Sequence, residues 1–149
     1  MPHTRDKHSA CFDKGLLTGL TFLDLSNAFD TLDHSIMLDK LALLGMNRSA
    51  VQWFRSYLTT RTQSVCVNGL LSVPIPFGVP QGSVLGPLLF IIYINDLPLV
   101  VQGCSVELYA DDTLIYFAST SVSEIQAQLT GGITDVLSWL HANFLNVCY

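Results

Sequence analysis

No lysine or arginine occurs after Arg61, although more than half of the 149-residue chain still follows. All seven bases lie at or before that position, and six of the twelve acids lie beyond it. The stretch from Thr62 onward therefore stands at −6 and the stretch before it at +1, for a net charge of −5. Phosphate contacts need Lys and Arg, so this balance excludes an ordinary basic groove in the second part of the chain. It suits a surface that holds cations. Nucleic acid would have to be gripped there through metal ions, backbone groups or parts of a longer protein.

Other absences narrow the class. Only 13% of residues are charged and 50% are hydrophobic, an apolar composition for a free-standing soluble domain. It points to a chain that packs against further domains or is missing part of its covering surface. Met1 to Lys14 is polar and has no apolar core of a secretory signal. The longest apolar run, Val84 to Ile94, contains Pro87 and stops at Asn95-Asp96, too short to span a bilayer, so a buried helix is expected and a membrane partner is not. The four cysteines (Cys11, Cys66, Cys104, Cys148) lie far apart without CxxC spacing. They read as buried free thiols in a reducing, intracellular compartment, with no zinc site or disulfide framework. The length suits one domain with a real core, and no repeat, linker or low-complexity tract interrupts it.

What is present centres on Tyr109-Ala110-Asp111-Asp112. Val106, Leu108 and Tyr109 lead in, and Leu114, Ile115, Tyr116 and Phe117 lead out. Both flanks are β-branched or aromatic, which predicts two strands joined by a tight turn. Asp is at home in turns, so the doublet alone is compatible with a plain hairpin tip. Yet adjacent carboxylates repel each other, and a divalent cation relieves that cost better than water does.

Earlier in the chain, residues 1–12 read as a disordered start and Leu16 to Leu25 as a strand. Period two puts Leu20, Phe22 and Asp24 on one face. An acid ending an apolar strand either caps the next turn or serves a site. Ile36 to Leu44 has helical spacing and Gly45 ends it. Ser49 to Leu58 predicts a second helix with Ser49 as its N-cap; Arg48, Arg55 and Arg61 read as its solvated face. Asn68-Gly69 predicts a hairpin between Ser64–Val67 and Leu70–Val73, ended by Pro74 and Pro76. A loop follows in which Gly78, Gly82 and Gly86 surround Gln81, allowing close approach of something to the backbone. It lacks the Lys-Ser/Thr of a P-loop. Leu88 to Leu97 is then the buried helix, and Ser121-Val122-Ser123-Glu124 has capping-box spacing for a helix reaching Ala142, weakened or bent at Gly131-Gly132. Phe144 onward reads as another strand.

An antiparallel sheet with the first strand beside the hairpin would bring Asp24 near Asp111 and Asp112. Three carboxylates at one sheet edge suit Mg²⁺ or Mn²⁺, and two such ions can drive a phosphoryl transfer. The DxDxDG spacing of an EF-hand is missing, which disfavours a simple Ca²⁺ or Mg²⁺ module.

With these pieces in place, Phe22-Leu23-Asp24-Leu25-Ser26-Asn27-Ala28-Phe29-Asp30, with His34 beyond, resembles the first palm motif of reverse transcriptases. Gly78-Val79-Pro80-Gln81-Gly82-Ser83-Val84-Leu85-Gly86-Pro87 resembles their second motif and Tyr109-Ala110-Asp111-Asp112 their third. Order and wording are closest to non-LTR (LINE-type) retrotransposon enzymes. The resemblance implies an α+β polymerase palm: an antiparallel sheet backed by the Val84–Leu97 and Ser123–Ala142 helices, with fingers mostly absent and thumb absent. It implies that Asp24, Asp111 and Asp112 are catalytic, holding two Mg²⁺ (or Mn²⁺) ions. Phe29 would pack under the nucleotide sugar, Gln81 and Gly82 would line the nucleotide pocket, and Tyr109 would sit beside the primer terminus. Asp30 would be structural. The implied partners are an RNA template, a DNA primer and a dNTP, whose α-phosphate the primer 3′-hydroxyl attacks.

Two departures qualify the resemblance. Little chain precedes the first motif, where the basic fingers residues belong. Trp139-Leu140-His141-Ala142-Asn143 resembles the approach to a fourth motif whose Lys is not reached. The chain thus reads as the palm of a longer enzyme or as a truncated, non-catalytic relic of one.

Overall fold

The computed structural model describes residues 15–59, 64, 66–72, 77–79 and 82–148. The expected disordered start at 1–12, Arg61, the prolines at 74 and 76, and Gln81 lie outside those residues. The described chain forms two compact units, one from residues 15–24, 97–139 and 147–148, the other from 25–96 and 140–146.

The first unit is an α+β layer. Strand β1 (Leu17–Leu23) pairs antiparallel with β6 (Asp112–Ser119), which pairs antiparallel with β5 (Ser105–Tyr109), in the order β1-β6-β5. Alternation of apolar and small residues produces these strands, and successive side chains leave opposite faces. One face lies on helix α5 (Val122–Ala142). Gly19 shows how tightly: a Cβ there would stand 2.3 Å from Ile125 Cγ2 and 2.7 Å from Leu129 Cδ1. Farther along the helix, a Cβ on Gly132 would stand 3.1 Å from Cys104 Sγ and 3.4 Å from Ile115 Cγ2. The helix runs unbroken through Gly131-Gly132, so the second glycine serves close packing and does not break the helix. Ile115 and Val136 are fully buried. A short helix α4 (Leu97–Val100) packs beside β5.

The capping box on α5 is looser than its spacing predicts. Glu124 N–H donates to Ser121 Oγ at 3.4 Å, but the Glu124 carboxylate accepts from Ser119 Oγ, which itself accepts from Ser121 N–H. The return bond of the box is relayed through the end of β6.

The second unit is mainly helical. The two-residue strand β2 (Leu25–Ser26) pairs with β7 (Asn146–Val147). Helix α1 (His34–Leu43) packs on α2 (Arg48–Thr59) and on α3 (Gly86–Ile94), and its buried residues are Met37, Leu38 and Leu41. Asp33 caps α1, accepting from the backbone of Ser35 at 2.8 Å and Ile36 at 3.0 Å. At the other end Met46 N–H reaches back to Leu41 O and Gly45 N–H to Ala42 O, with Gly45 at φ 85°, the stop expected of that glycine.

Asn47, not Ser49, caps α2: its carboxamide oxygen accepts from Ala50 N–H at 2.8 Å, two residues earlier than the expected cap. Arg48 and Arg55 are exposed, as a solvated face requires. Strands β3 (Cys66–Val67) and β4 (Leu70–Leu71) form the expected hairpin, with Asn68 at φ 51° and Gly69 at φ 80°.

Helix α3 corrects the expectation of a fully buried Leu88–Leu97 helix. It ends at Ile94, and although it is apolar all round, Leu88 and Ile91 stay about half exposed while Leu89, Phe90, Tyr93 and Ile94 are buried. The cysteines also differ from expectation. Cys66 sits in the exposed hairpin, Cys148 is exposed, and Cys104 is half-buried; all three are free thiols. Among the described residues no helix is long and apolar enough to cross a membrane.

Candidate active site

At the end of the sheet where the β5–β6 turn lies, the backbone register aligns the acids. Leu23 pairs with Thr113 and Tyr109 pairs with Asp112. Continuing the first ladder by one residue puts Asp24 opposite Asp112, with Ala110 and Asp111 forming the turn. Asp24 leaves the strand proper here, and its carbonyl is held by Cys148 N–H at 2.8 Å. Directly paired residues share a face, so Asp24, Asp112 and Tyr109 belong to the face turned away from α5. Phe22 (73% exposed) and Leu20 share it, and Tyr109 is 83% exposed. Asp24 and Asp112 are exposed and Asp111 is half-buried.

The turn itself is unusual. Ala110 takes φ 55°, a left-handed conformation that costs a residue with a Cβ about 1–2 kcal/mol. Strain of this kind is found where a functional group has to be aimed. The donor set, three carboxylates at one sheet end, has the hard oxygen chemistry that divalent cations prefer. Among the described residues, however, no three His, Cys, Asp or Glu side chains are drawn together closely enough to hold a metal ion. The backbone register aligns the acids; their side chains are not gathered around a common point.

Of the other expected site residues, Phe29 and Gly82 fall in the second unit. Phe29 lies in the turn after β2, where Asp30 N–H and Thr31 N–H both donate to Asn27 O, at 2.9 and 3.1 Å, and Asn27 takes φ 49°. Its half-buried ring packs on Phe90, centroids 5.0 Å apart. Its carbonyl accepts from Val79 N–H at 2.8 Å, so the glycine loop comes directly onto this turn. A Cβ on Gly78 would stand 2.7 Å from Phe29 O and 2.8 Å from Asp30 Cα, so only glycine fits there. Gly82 is exposed at φ 76°. Beside the turn is a cavity of about 590 Å³ lined by Asn27, Asp30, Thr31, Asp33, Phe77 and Phe144.

Two ionisable groups in this unit are built into the frame. Lys40 Nζ donates to Tyr93 O and to the Asp96 carboxylate, and lies 5.0 Å from the centre of the Tyr93 ring. Burial holds the Lys40 ammonium below its usual range, against the opposing pull of Asp96. Burial likewise pushes the Tyr93 phenol up to about 12, while its hydroxyl donates to Asn143 O. Sequence reasoning singled out neither Lys40 nor Tyr93, since a lone Lys in a helix carries no such signal.

Residues 1–148 match a family model described as reverse transcriptase (RNA-dependent DNA polymerase). A probable RNA-directed DNA polymerase from transposon BS of Drosophila melanogaster is 30% identical over 155 residues, covering 97% of this chain and 17% of that protein. The RNA-directed DNA polymerase from mobile element jockey of the same organism is 37% identical over 110 residues, covering 68% of this chain and 12% of its own length. This chain thus spans only a small part of the curated relatives it matches. A solved apo telomerase from Candida tropicalis superposes with a TM-score of 0.62 at 12% identity, covering 98% of this chain and 34% of that one. At that identity the likeness is one of fold.

Proposed function

Because this chain belongs to the reverse transcriptase family, with non-LTR retrotransposon polymerases among its relatives, we propose that it is the palm that carries RNA-directed DNA synthesis in such an enzyme. One observation supports the reading: the β1–β6 register, extended one residue beyond the Leu23–Thr113 pair, would set Asp24 across from Asp112, next to the turn in which Ala110 takes φ 55°. Asp24, Asp111 and Asp112 would hold two Mg²⁺ or Mn²⁺ ions. When bound, such ions supply activation of a primer 3′-hydroxyl and stabilisation of the departing oxygen.

The chain's own residues have separable tasks. The three carboxylates are acceptor-only oxygens for the cations, and none is offered as a proton donor. Tyr109, exposed on the same face, offers a ring beside a primer terminus. Phe29, backed by Phe90, presents a rigid edge to exclude a 2′-hydroxyl and so select a dNTP. Gly82, free of a side chain, allows a base pair to approach, with Gln81 next to it. The RNA template and DNA primer come from the larger enzyme's reaction, and the shortage of Lys and Arg assigns much of their grip to other parts of that protein.

The ungathered carboxylates favour a second reading, a truncated relic without catalysis. Primer extension on an RNA template with Mg²⁺ separates the two. Extension by the parent chain that disappears in Asp111→Asn supports the polymerase, no extension by either supports the relic, and equal extension by both traces the product to a contaminant.

A further inference from the structure

We infer that His34 is a positioning residue for the nucleotide pocket, holding the glycine loop against the backbone of Phe29. This rests on the assignment of Phe29, Gln81 and Gly82 to the nucleotide. Among the described residues, at least three hydrogen bonds tie the root of the loop to the turn before α1. Gly78 N–H donates to Leu32 O at 2.9 Å, Val79 N–H donates to Phe29 O at 2.8 Å, and His34 Nε2 meets Gly78 O at 2.7 Å. The first two are backbone bonds that need no particular side chain. The third depends on the residue at position 34.

A carbonyl oxygen can only accept, so Nε2 carries the proton in this contact, in the neutral ring and in the imidazolium alike. The ring is aimed by the helix start: His34 is the first residue of α1, and Asp33 immediately before it is the cap that fixes that turn. Gly78 is buried and Val79 fully so, and the missing Cβ of Gly78 lets the loop lie against Phe29 and Asp30. The chain then runs through Pro80 and Gln81 to Gly82. Cap, histidine, loop root and Phe29 form one connected series. Removing the imidazole leaves Gly78 O without that donor and the loop root with one bond fewer.

Amide hydrogen exchange on the 149-residue chain tests this without any nucleotide. In His34→Ala, exchange at Gly78 and Val79 should quicken about tenfold, while Leu38 and Leu41 in α1 keep their protection. His34→Gln, whose side-chain amide can reach the same carbonyl, should restore it. Unchanged exchange in His34→Ala overturns the inference, as does a loss that His34→Gln does not repair. Should His34→Ala unfold α1, His34→Gln alone decides: parent-like protection at Gly78 and Val79 supports the inference, and its loss overturns it. A second arm measures Mg²⁺-dependent dNTP affinity, which should fall about tenfold in His34→Ala and recover in His34→Gln. Affinity that ignores both substitutions while exchange responds overturns the positioning role. A parent chain that binds no dNTP contradicts the polymerase reading, and the exchange arm still decides for or against the clamp.

Discussion

Thr113 stands next to Asp112 in the central strand, 1% exposed, and its hydroxyl finds no hydrogen-bond partner among the described residues. A buried hydroxyl without a partner costs about 1–3 kcal/mol, and valine has nearly the same shape. Thr113→Val should therefore raise stability by about 1 kcal/mol, seen as a higher urea midpoint at unchanged m. A lowered midpoint would mean that the hydroxyl is satisfied after all. Backbone strain is also a property of single residues here. Helices α1 and α5 end the same way, but α1 has Gly45 at the left-handed position and α5 has Phe144, at φ 55°. Nothing in a phenylalanine announces that conformation, so the stretch from Phe144 reads as strand in the sequence and begins as a helix stop in the structure. Ala110 was equally silent. Its neighbours predict a tight turn, but the strain comes from the turn's closure between β5 and β6, which composition does not record.

Among the elements, α1 depends most visibly on one side chain. Burial pushes the Asp33 carboxyl up, but hydrogen bonds from Ser35 and Ile36 outweigh it and hold the group below its usual 3.8. A carboxyl with a lowered folded pKa stabilises the fold fully above 3.8 and loses that contribution as pH falls through the lowered value. Asp33→Ala should cost about 1 kcal/mol at neutral pH, and the difference from the parent should shrink as acid protonates the cap. Urea melts at pH 7 and in the acid range check both statements; a gap that widens in acid would contradict them. Regular elements were the legible part of this chain. Period two located β1, β5 and β6, Asn68-Gly69 located the small hairpin, and Gly45 located a helix stop. Less legible were the pairing of β2 with β7, residues more than a hundred positions apart with no pattern linking them, and the cap of α2, where Asn47 and Ser49 both carry suitable oxygens. Gly132 misled because glycine lowers helix propensity, whereas the contact with Cys104 and Ile115 that explains it is tertiary.

For the molecule as a whole, the apolar composition has a visible counterpart. Phe22, Trp53, Leu70, Leu88 and Ile91 are all half exposed or more, in a chain that covers 17% of the transposon BS relative. Three short motifs identified the family because their order is specific even though each is modest alone. The fold class followed from the same residues, and the likeness to a telomerase at 12% identity is one of fold. The candidate site was legible only to the level of backbone register. Where three carboxylate side chains finally point depends on mutual repulsion, water and cations, and no spacing in the sequence encodes it. Manganese titration followed by electron paramagnetic resonance addresses this directly. The parent chain should take up Mn²⁺, and Asp24→Asn and Asp111→Asn should each weaken uptake at least about tenfold, while Asp39→Asn, an exposed acid of α1, should leave it unchanged. Equal Mn²⁺ binding by the parent, Asp24→Asn and Asp111→Asn would contradict the claim that these acids form one cation site.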